Sequence, residues 1–399
     1  MAFILPSEAM HLADGGVSVP ESLDAYRARG GYAGWERARG LEPARVVAEV
    51  EAAGLLGRGG AGFPTGVKWR LTRAAPGGTR YLVVNGAEGE PGSIKDRLLM
   101  ACAPHAVLEG LLIAAHALEA TAVLFYINDE FTAAIAALTQ AVAELPAVPG
   151  AGPWVDRLTL VPETHVYIAG EETALINVLM HEPAQPWHKP PYPSDRGYRG
   201  SPTAVNNVET LAAVAALWQH DASWFQAQRP ALFSVSGDVQ RPGVYERPLG
   251  YRMDRLLADA GGPPAGHTFT AVLPGGYSMA PVFPAQFGVE LESAALAALG
   301  SGLGASIIAV ATNRTLGMVA HDILAFFARE SCGKCPVCVK GSKNLAEALE
   351  PARSGALSEE QLTAVLALAA KYRKKGICSF LDSAAQVALA MSPHLGVAR

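Results

Sequence analysis

The segment Tyr81-Leu82-Val83-Val84-Asn85-Gly86-Ala87-Glu88-Gly89-Glu90-Pro91-Gly92-Ser93-Ile94-Lys95-Asp96-Arg97 decides the reading of this chain. It opens with a short unbroken apolar run, the pattern of a strand buried on both faces of a sheet. It then turns into a glycine-rich loop carrying two carboxylates and an amide. Ligand sites in α/β sheets gather outside the carboxyl ends of the strands, so this loop is well placed to hold one. Its side chains suit ribose hydroxyls and a ring edge; a charged, solvated loop is the alternative.

Working outward, the buried-strand pattern recurs at 122–127, and strands are expected at 158–161 and 165–169. Helical periodicity fills 43–53, 106–119, 131–144 and 171–180. Strands alternating with helices of this length indicate an α/β layer architecture. The first 40 residues are glycine-rich and weakly periodic, and are expected to wrap the surface as an extension. A stiff loop follows at Pro186-Trp187-His188-Lys189-Pro190-Pro191-Tyr192-Pro193. After a helix near 208–218 the character changes, and 232–236, 244–245 and 270–273 read as a small strand-rich unit. Beyond about Arg314 the chain reads as helical.

Half of the 399 residues are apolar, 17% are charged, and the net charge is −5. The length predicts about two to four domains. A mildly acidic chain without a long basic block argues against nucleic acid as the main partner. No basic leader precedes the short apolar run at the start, so no secretory signal is expected. Glu109, His116 and Glu119 interrupt the longest apolar region, and no membrane span is expected.

Four of the five cysteines lie near the C-terminal end, as Cys332-Gly333-Lys334-Cys335-Pro336-Val337-Cys338 and Cys378. Three thiols at two-residue gaps with a fourth from further on match the way a [4Fe–4S] cluster is held. Zinc is the competing occupant, although structural zinc usually takes its cysteines as two separated pairs. Few cysteines, grouped as ligands, fit a reducing cytosol. The remaining Cys102 reads as a small buried hydrophobe.

Gly57-x-Gly59-x-x-Gly62 matches a dinucleotide fingerprint by spacing alone, but a helix rather than a strand precedes it. Consecutive glycines still let backbone N–H groups approach an anion, and Arg58 and Lys68 add positive charge. Gly170-Glu171-Glu172-Thr173 is expected to follow a strand and open a helix, and Asn206-Asn207 precede another. Either could be plain capping.

Together these segments resemble the flavin-carrying, NADH-oxidising subunit of respiratory complex I and the diaphorase subunits of NAD-linked hydrogenases and formate dehydrogenases. The resemblance rests on five ordered stretches: 57–69 (GRGGAGFPTGVKW), 90–97 (EPGSIKDR), 167–175 (YIAGEETAL), 202–210 (PTAVNNVET) and 330–335 (ESCGKC). It implies an α/β Rossmann-like flavin domain, a small ubiquitin-like β-grasp domain and a C-terminal helical bundle with one [4Fe–4S] cluster. The corresponding division is 1–65 as N-terminal extension and start of the glycine loop, 66–228, 229–314 and 315–399. It implies FMN along Gly57, Arg58, Gly59 and Gly60, with Lys68, Asn85, Glu88, Tyr167, Gly170, Glu171, Asn206 and Asn207 around it. NADH is implied near Phe63, Glu90, Glu172, Lys189 and Tyr192, and the cluster on Cys332, Cys335, Cys338 and Cys378. Hydride transfer then requires stacking and orientation rather than a protein acid or base.

Lys334 and Lys340 are expected beside the thiolates, favouring a reduced cluster. The implied setting is cytoplasmic, with a small [2Fe–2S] thioredoxin-like subunit and a larger redox subunit as partners. Lys371, Arg373, Lys374 and Lys375 are candidates for steering an acidic partner. Three departures from the family pattern stand out. Ala87 replaces a frequent acidic residue, Leu71 a frequent aromatic, and Cys335-Pro336-Val337-Cys338-Val339 the common Cys-Thr-Pro-Cys-Arg. They favour a paralogue serving another redox enzyme, and leave open a cluster-bearing relay with weak or no NAD(H) use.

Overall fold

The computed structural model describes residues 3–6, 9–11, 19–164 and 166–395. Nine strands are defined among them: β1 (Ala9–His11), β2 (Tyr81–Gly86), β3 (Ala122–Asn128), β4 (Leu158–Glu163), β5 (Thr203–Asn207), β6 (Pro230–Gly237), β7 (Gly243–Pro248), β8 (Phe269–Leu273) and β9 (Ser306–Ala311). Strands β4-β3-β2-β5 form a parallel sheet in that order. Side-chain alternation sorts it into two faces. Leu82, Val84, Val123, Phe125, Ile127 and Ala204 enter one core, whereas Val83, Tyr126 and Val205 enter another with Ala87, Leu175 and Ile176. The first core is covered by the helices Pro104–Leu118 and Val208–Gln219, the second by Glu172–Leu179. Parallel sheets require this double cover, which is why β2 is apolar at consecutive positions.

Helix Pro104–Leu118 is buried nearly all round because the sheet lies on one side and other helices enclose the rest. Gly110 permits its crossing with Val208–Gln219, since a Cβ there would collide with the Leu211 carbonyl. Among the described residues no single helix is long and apolar enough to cross a membrane. Lys95–Cys102 and Pro104–Leu118 reach that length only together, and they are bent by 95°.

The second sheet has the order β1-β7-β6-β9-β8, with β6 and β9 parallel and the other pairs antiparallel. Its core gathers Phe233, Val235, Tyr245, Leu256, Val272 and Ile307 around the helix Met253–Asp259. Beyond it, the helices Leu316–Arg329, Pro336–Leu349, Glu359–Tyr372 and Phe380–Met391 pack on one another.

Two expectations are corrected. The N-terminal region is not a surface wrap from end to end, because Leu23–Ala28 and Ala33–Ala38 are helices that bury Tyr26, Tyr32 and Trp35. They are held by a buried carboxylate rather than an apolar stripe. Glu109 accepts from Tyr26 Oη at 2.5 Å and from the Tyr32 and Trp35 backbone N–H groups at 2.9 and 3.0 Å. The strand expected at 165–169 is also absent among the described residues. Tyr167–Gly170 is a 3-10 turn instead, and His165 lies outside the described residues.

Candidate functional site

At the carboxyl edge of the parallel sheet, β2 and β5 are neighbours with Asn85 opposite Asn207, so the turns that follow them lie side by side. The glycine loop closes against this edge. Its base is pinned by the Gly57 N–H on the Phe63 carbonyl at 2.9 Å and by a bridge between Leu56 and Pro64. Gly60 and Gly62 take φ of 101° and 63°, which L side chains rarely adopt. Gly59 sits so near Asn207 that a Cβ would lie 3.3 Å from the Asn207 Cβ. Unlike the ordinary fingerprint, the loop is followed by the helix Thr65–Ala74 but preceded by Pro43–Ala52.

Arg58 turns inward: its N–H meets Thr210 Oγ1 at 2.9 Å and Nη2 meets the Pro230 carbonyl at 3.1 Å. Burial pushes its guanidinium down from the usual range, against the pull of Glu209. Glu88 is similarly committed. Its oxygens accept from Ser93 Oγ at 2.8 Å, from the Asp96 and Arg97 N–H groups at 2.7 and 3.0 Å, and from Arg97 Nε at 3.0 Å. It therefore satisfies the exposed donors that begin the helix Lys95–Cys102, a helix the sequence reading did not anticipate. Burial and neighbouring Asp96 raise the Glu88 pKa, with Arg97 and Lys95 opposing.

Under the edge lies a buried triad to which the sequence analysis assigned no role. Lys95 Nζ meets Asp96 Oδ1 at 2.7 Å and Glu209 Oε2 at 2.8 Å. Asn207 Nδ2 donates to Asp96 Oδ2 at 2.6 Å, and the Leu232 N–H to Glu209 Oε1 at 2.9 Å. Burial alone would lower the Lys95 pKa, but the two carboxylates hold it above its ordinary value. Asn206 accepts from Trp69 Nε1 at 2.9 Å.

A second group of charges faces the same edge. Lys189 Nζ lies 2.8 Å from Glu171 Oε1 and 2.7 Å from Glu172 Oε1, while Lys68 Nζ lies 3.6 Å from Glu172 Oε2 and 2.9 Å from the Val205 carbonyl. Burial opposes ionisation of Glu172, yet Lys68 and Lys189 outweigh it and hold the carboxyl below the usual range. Burial likewise lowers Lys68, with Glu172 opposing. Glu171 Oε2 also accepts from the Thr173 and Ala174 N–H groups, capping Glu172–Leu179. Asn85 Nδ2 donates to the Gly170 carbonyl at 3.0 Å. Phe63 and Tyr192 are 45% and 52% exposed, open faces for a ring, and Leu71 is 42% exposed.

Glu90 points to the second sheet's unit. It accepts from Tyr167 Oη at 2.8 Å, Ser278 Oγ at 3.0 Å and the Tyr277 N–H at 2.7 Å.

On the far side of the Tyr167–Gly170 turn, Cys332, Cys335, Cys338 and Cys378 line a cleft with Ile168, Gly376, Ile377, Phe380 and Leu381. Cys335 and Cys338 flank the start of the helix Pro336–Leu349, and Cys378 precedes Phe380–Met391. Two helix N-termini therefore favour negative charge there. Burial pushes the Cys378 thiol up to about 11 and Cys338 upward as well, so a bound cation must offset desolvation of the thiolates. Four thiols converging on one apolar cleft, three of them from a single loop, suit a [4Fe–4S] cluster. The Lys334 ammonium donates to the Pro186 carbonyl at 2.7 Å. Cys102 is fully buried in the main core.

Comparison with known proteins covers both regions. Residues 50–216 match the Nuo51 FMN-binding domain, 232–281 the SLBB domain, and 318–395 the NADH-ubiquinone oxidoreductase-F iron–sulfur binding region. An F subunit of NADH-quinone oxidoreductase from Rhizobium meliloti (strain 1021) is 40% identical over 343 residues, covering 82% of this chain and 81% of that protein. The HndC subunit of the NADP-reducing hydrogenase of Solidesulfovibrio fructosivorans is 34% identical over 374 residues, covering 90% and 76%. A crystal structure of an NAD+-reducing [NiFe]-hydrogenase in the H2-reduced state superposes with a TM-score of 0.82 at 34% identity, covering 89% of this chain. The chain spans 62% of that hydrogenase chain's length. The chain belongs to the family of flavin subunits that includes the F subunits of NADH-quinone oxidoreductases and the related subunits of NAD(P)-linked hydrogenases.

Proposed function

We propose that this chain accepts hydride from NADH and passes the electrons singly to a partner subunit. The observation that carries the reading is the shared turn between the two sites. Gly170 accepts from Asn85 at the carboxyl end of β2, and Ile168 of the same turn lines the cysteine cleft. When bound, FMN supplies two-electron acceptance with one-electron release, and a [4Fe–4S] cluster supplies the one-electron outlet.

The residues fit both groups. Gly57, Gly59 and Gly60 leave a backbone cradle that a Cβ at Gly59 would crowd. Lys68, Asn85, Tyr167, Gly170, Glu171, Asn206 and Asn207 surround or brace it, and Arg58 and Glu88 support it from beneath. Phe63 and Tyr192 offer faces for adenine, while Glu172 and Lys189 lie where a ribose would be read. Glu90 fixes the adjoining unit through Tyr167 and Ser278. Cys332, Cys335, Cys338 and Cys378 are the proposed cluster ligands. Their cleft is lined with apolar side chains, which limits the water around the metal.

The division 1–65, 66–228, 229–314 and 315–399 is the arrangement we propose; the mixed sheet has a core of its own, residues before 66 share that of the parallel sheet, and the core of the last helices also takes in Ala271, Leu273, Ile308 and Val310. The mixed sheet around Met253–Asp259 is read as the β-grasp unit, and the last helices as the bundle. The chain works in the cytoplasm as the electron-input subunit of a larger redox enzyme, beside a small [2Fe–2S] thioredoxin-like subunit.

Anaerobic absorbance of the holoprotein before and after NADH tests the reading. Bleaching of flavin and cluster bands supports it. A cluster spectrum indifferent to NADH would instead establish a relay, for which Ala87 and Leu71 are the sequence grounds.

A further inference from the structure

The cysteine loop and the proline-rich segment are tied by two reciprocal hydrogen bonds. Lys334 Nζ donates to the Pro186 carbonyl at 2.7 Å, and Gln185 Nε2 donates back to the Cys332 carbonyl at 3.2 Å. Each segment thus supplies one donor and one acceptor to the other. The tie continues into the charged edge. Asn177 Nδ2 holds the Gln185 carbonyl at 2.7 Å, the Trp187 N–H meets Thr173 Oγ1 at 3.1 Å, and Lys189 reaches Glu171 and Glu172. Prolines at 186, 190, 191 and 193 fix φ along this stretch, so a displacement at Pro186 is passed on rather than absorbed.

We propose that Lys334 is a positioning residue for the nucleotide: it couples the cysteine loop to the segment carrying Lys189 and Tyr192, so each site steadies the other. This rests on the proposed flavin and cluster reading. Lys334 lies between two proposed cluster ligands, and ligation fixes the backbone on both sides of it. The Lys334 ammonium carried on that backbone in turn holds Pro186, and through it the Lys189 ammonium beside Glu172. Linkage requires the effect to run both ways, so a nucleotide that orders the segment must also protect the cysteine loop.

The test uses the flavin- and iron-loaded protein with ADP-ribose, a probe that binds without transferring hydride. Lys334→Met removes the donor at similar volume, and Gln185→Leu removes the other bond from the opposite side. Each is expected to weaken ADP-ribose binding roughly threefold to tenfold, as loss of one net hydrogen bond implies. The KM for NADH rises by the same factor and kcat falls less than twofold, with ferricyanide as acceptor. Lys334→Arg, which keeps a donor, recovers most of the loss. In the unsubstituted protein ADP-ribose slows iron release to a chelator severalfold, and in Lys334→Met it does not.

Unchanged ADP-ribose affinity in an iron-replete Lys334→Met protein overturns the proposal. Should that variant lose iron, Gln185→Leu decides, and unchanged affinity there overturns it equally. No binding of ADP-ribose and no response to NADH in the unsubstituted protein would strike the functional reading itself instead.

Discussion

The Tyr167 hydroxyl donates to Glu90 at 2.8 Å while its ring packs edge-on against Phe326 and Phe380, with centroids 4.9 and 5.8 Å away. One side chain thereby joins the loop after β2 to the helices around the cysteine cleft. Tyr167→Phe keeps the ring and leaves Glu90 with Ser278 and the Tyr277 N–H. Loss of a donor to this buried carboxylate is expected to cost about 1–2 kcal/mol in urea unfolding, with iron content unchanged. Tyr167→Ala, which also empties the ring's place, is expected to lose iron. Iron loss already in Tyr167→Phe would assign support of the cleft to the hydroxyl rather than the ring.

Lys95 neutralises two carboxylates inside the flavin-side core. Lys95→Met leaves Asp96 and Glu209 buried without their cation, at an expected cost of about 3–5 kcal/mol. Adding Asp96→Asn restores part of it, because one of the stranded charges is gone. A double variant no more stable than Lys95→Met would refute coupling through that pair.

Glu172 is held ionised by Lys68 and Lys189 despite its burial. Its pKa is lowered on folding, so its contribution to stability is present above the ordinary carboxylate value and lost as pH falls through the folded one. The difference in thermal stability between the natural protein and Glu172→Gln should therefore shrink below about pH 4.3. The same variant takes a counter-charge from two ammonium groups and removes a carboxylate that repels a 2′-phosphate. Relative NADPH use, as the ratio of kcat/KM values, is expected to rise. An unaltered ratio would take Glu172 out of that role.

Cys378 and Cys102 separate ligand from core. Cys378→Ala is expected to lose or convert the cluster and loosen the last helices, whereas Cys102→Ala retains iron and the visible spectrum. Four irons per chain in Cys378→Ala would exclude it as the fourth ligand.

Long apolar runs were legible because a parallel strand declares itself at consecutive positions, as at Leu82, Val83 and Val84. The cysteine spacing was equally plain. What escaped was structure made by single buried polar groups. Leu23–Ala28 and Ala33–Ala38 lack a strong stripe because Glu109 holds them. Lys95 and Asp96 drew no separate reading, although both are buried at the start of a helix. Arg58 and Glu88 were expected toward a ligand, yet the fold spends their hydrogen bonds on Pro230 and on the Asp96–Arg97 backbone. Charge alone does not reveal which way a side chain turns.

Glu109 also accepts from Gln219 Nε2 at 2.7 Å, a donor encoded far downstream of the helices it already holds. On a ribosome adding about 5–20 residues per second, Gln219 emerges about 5–20 s after Glu109. Through that interval Pro104–Leu118 waits without the partner helix that covers it, and the nascent chain presents its apolar face to chaperones. Synonymous codon changes between positions 109 and 219 are therefore expected to alter the yield of folded protein, as measured by soluble expression, while leaving every residue the same.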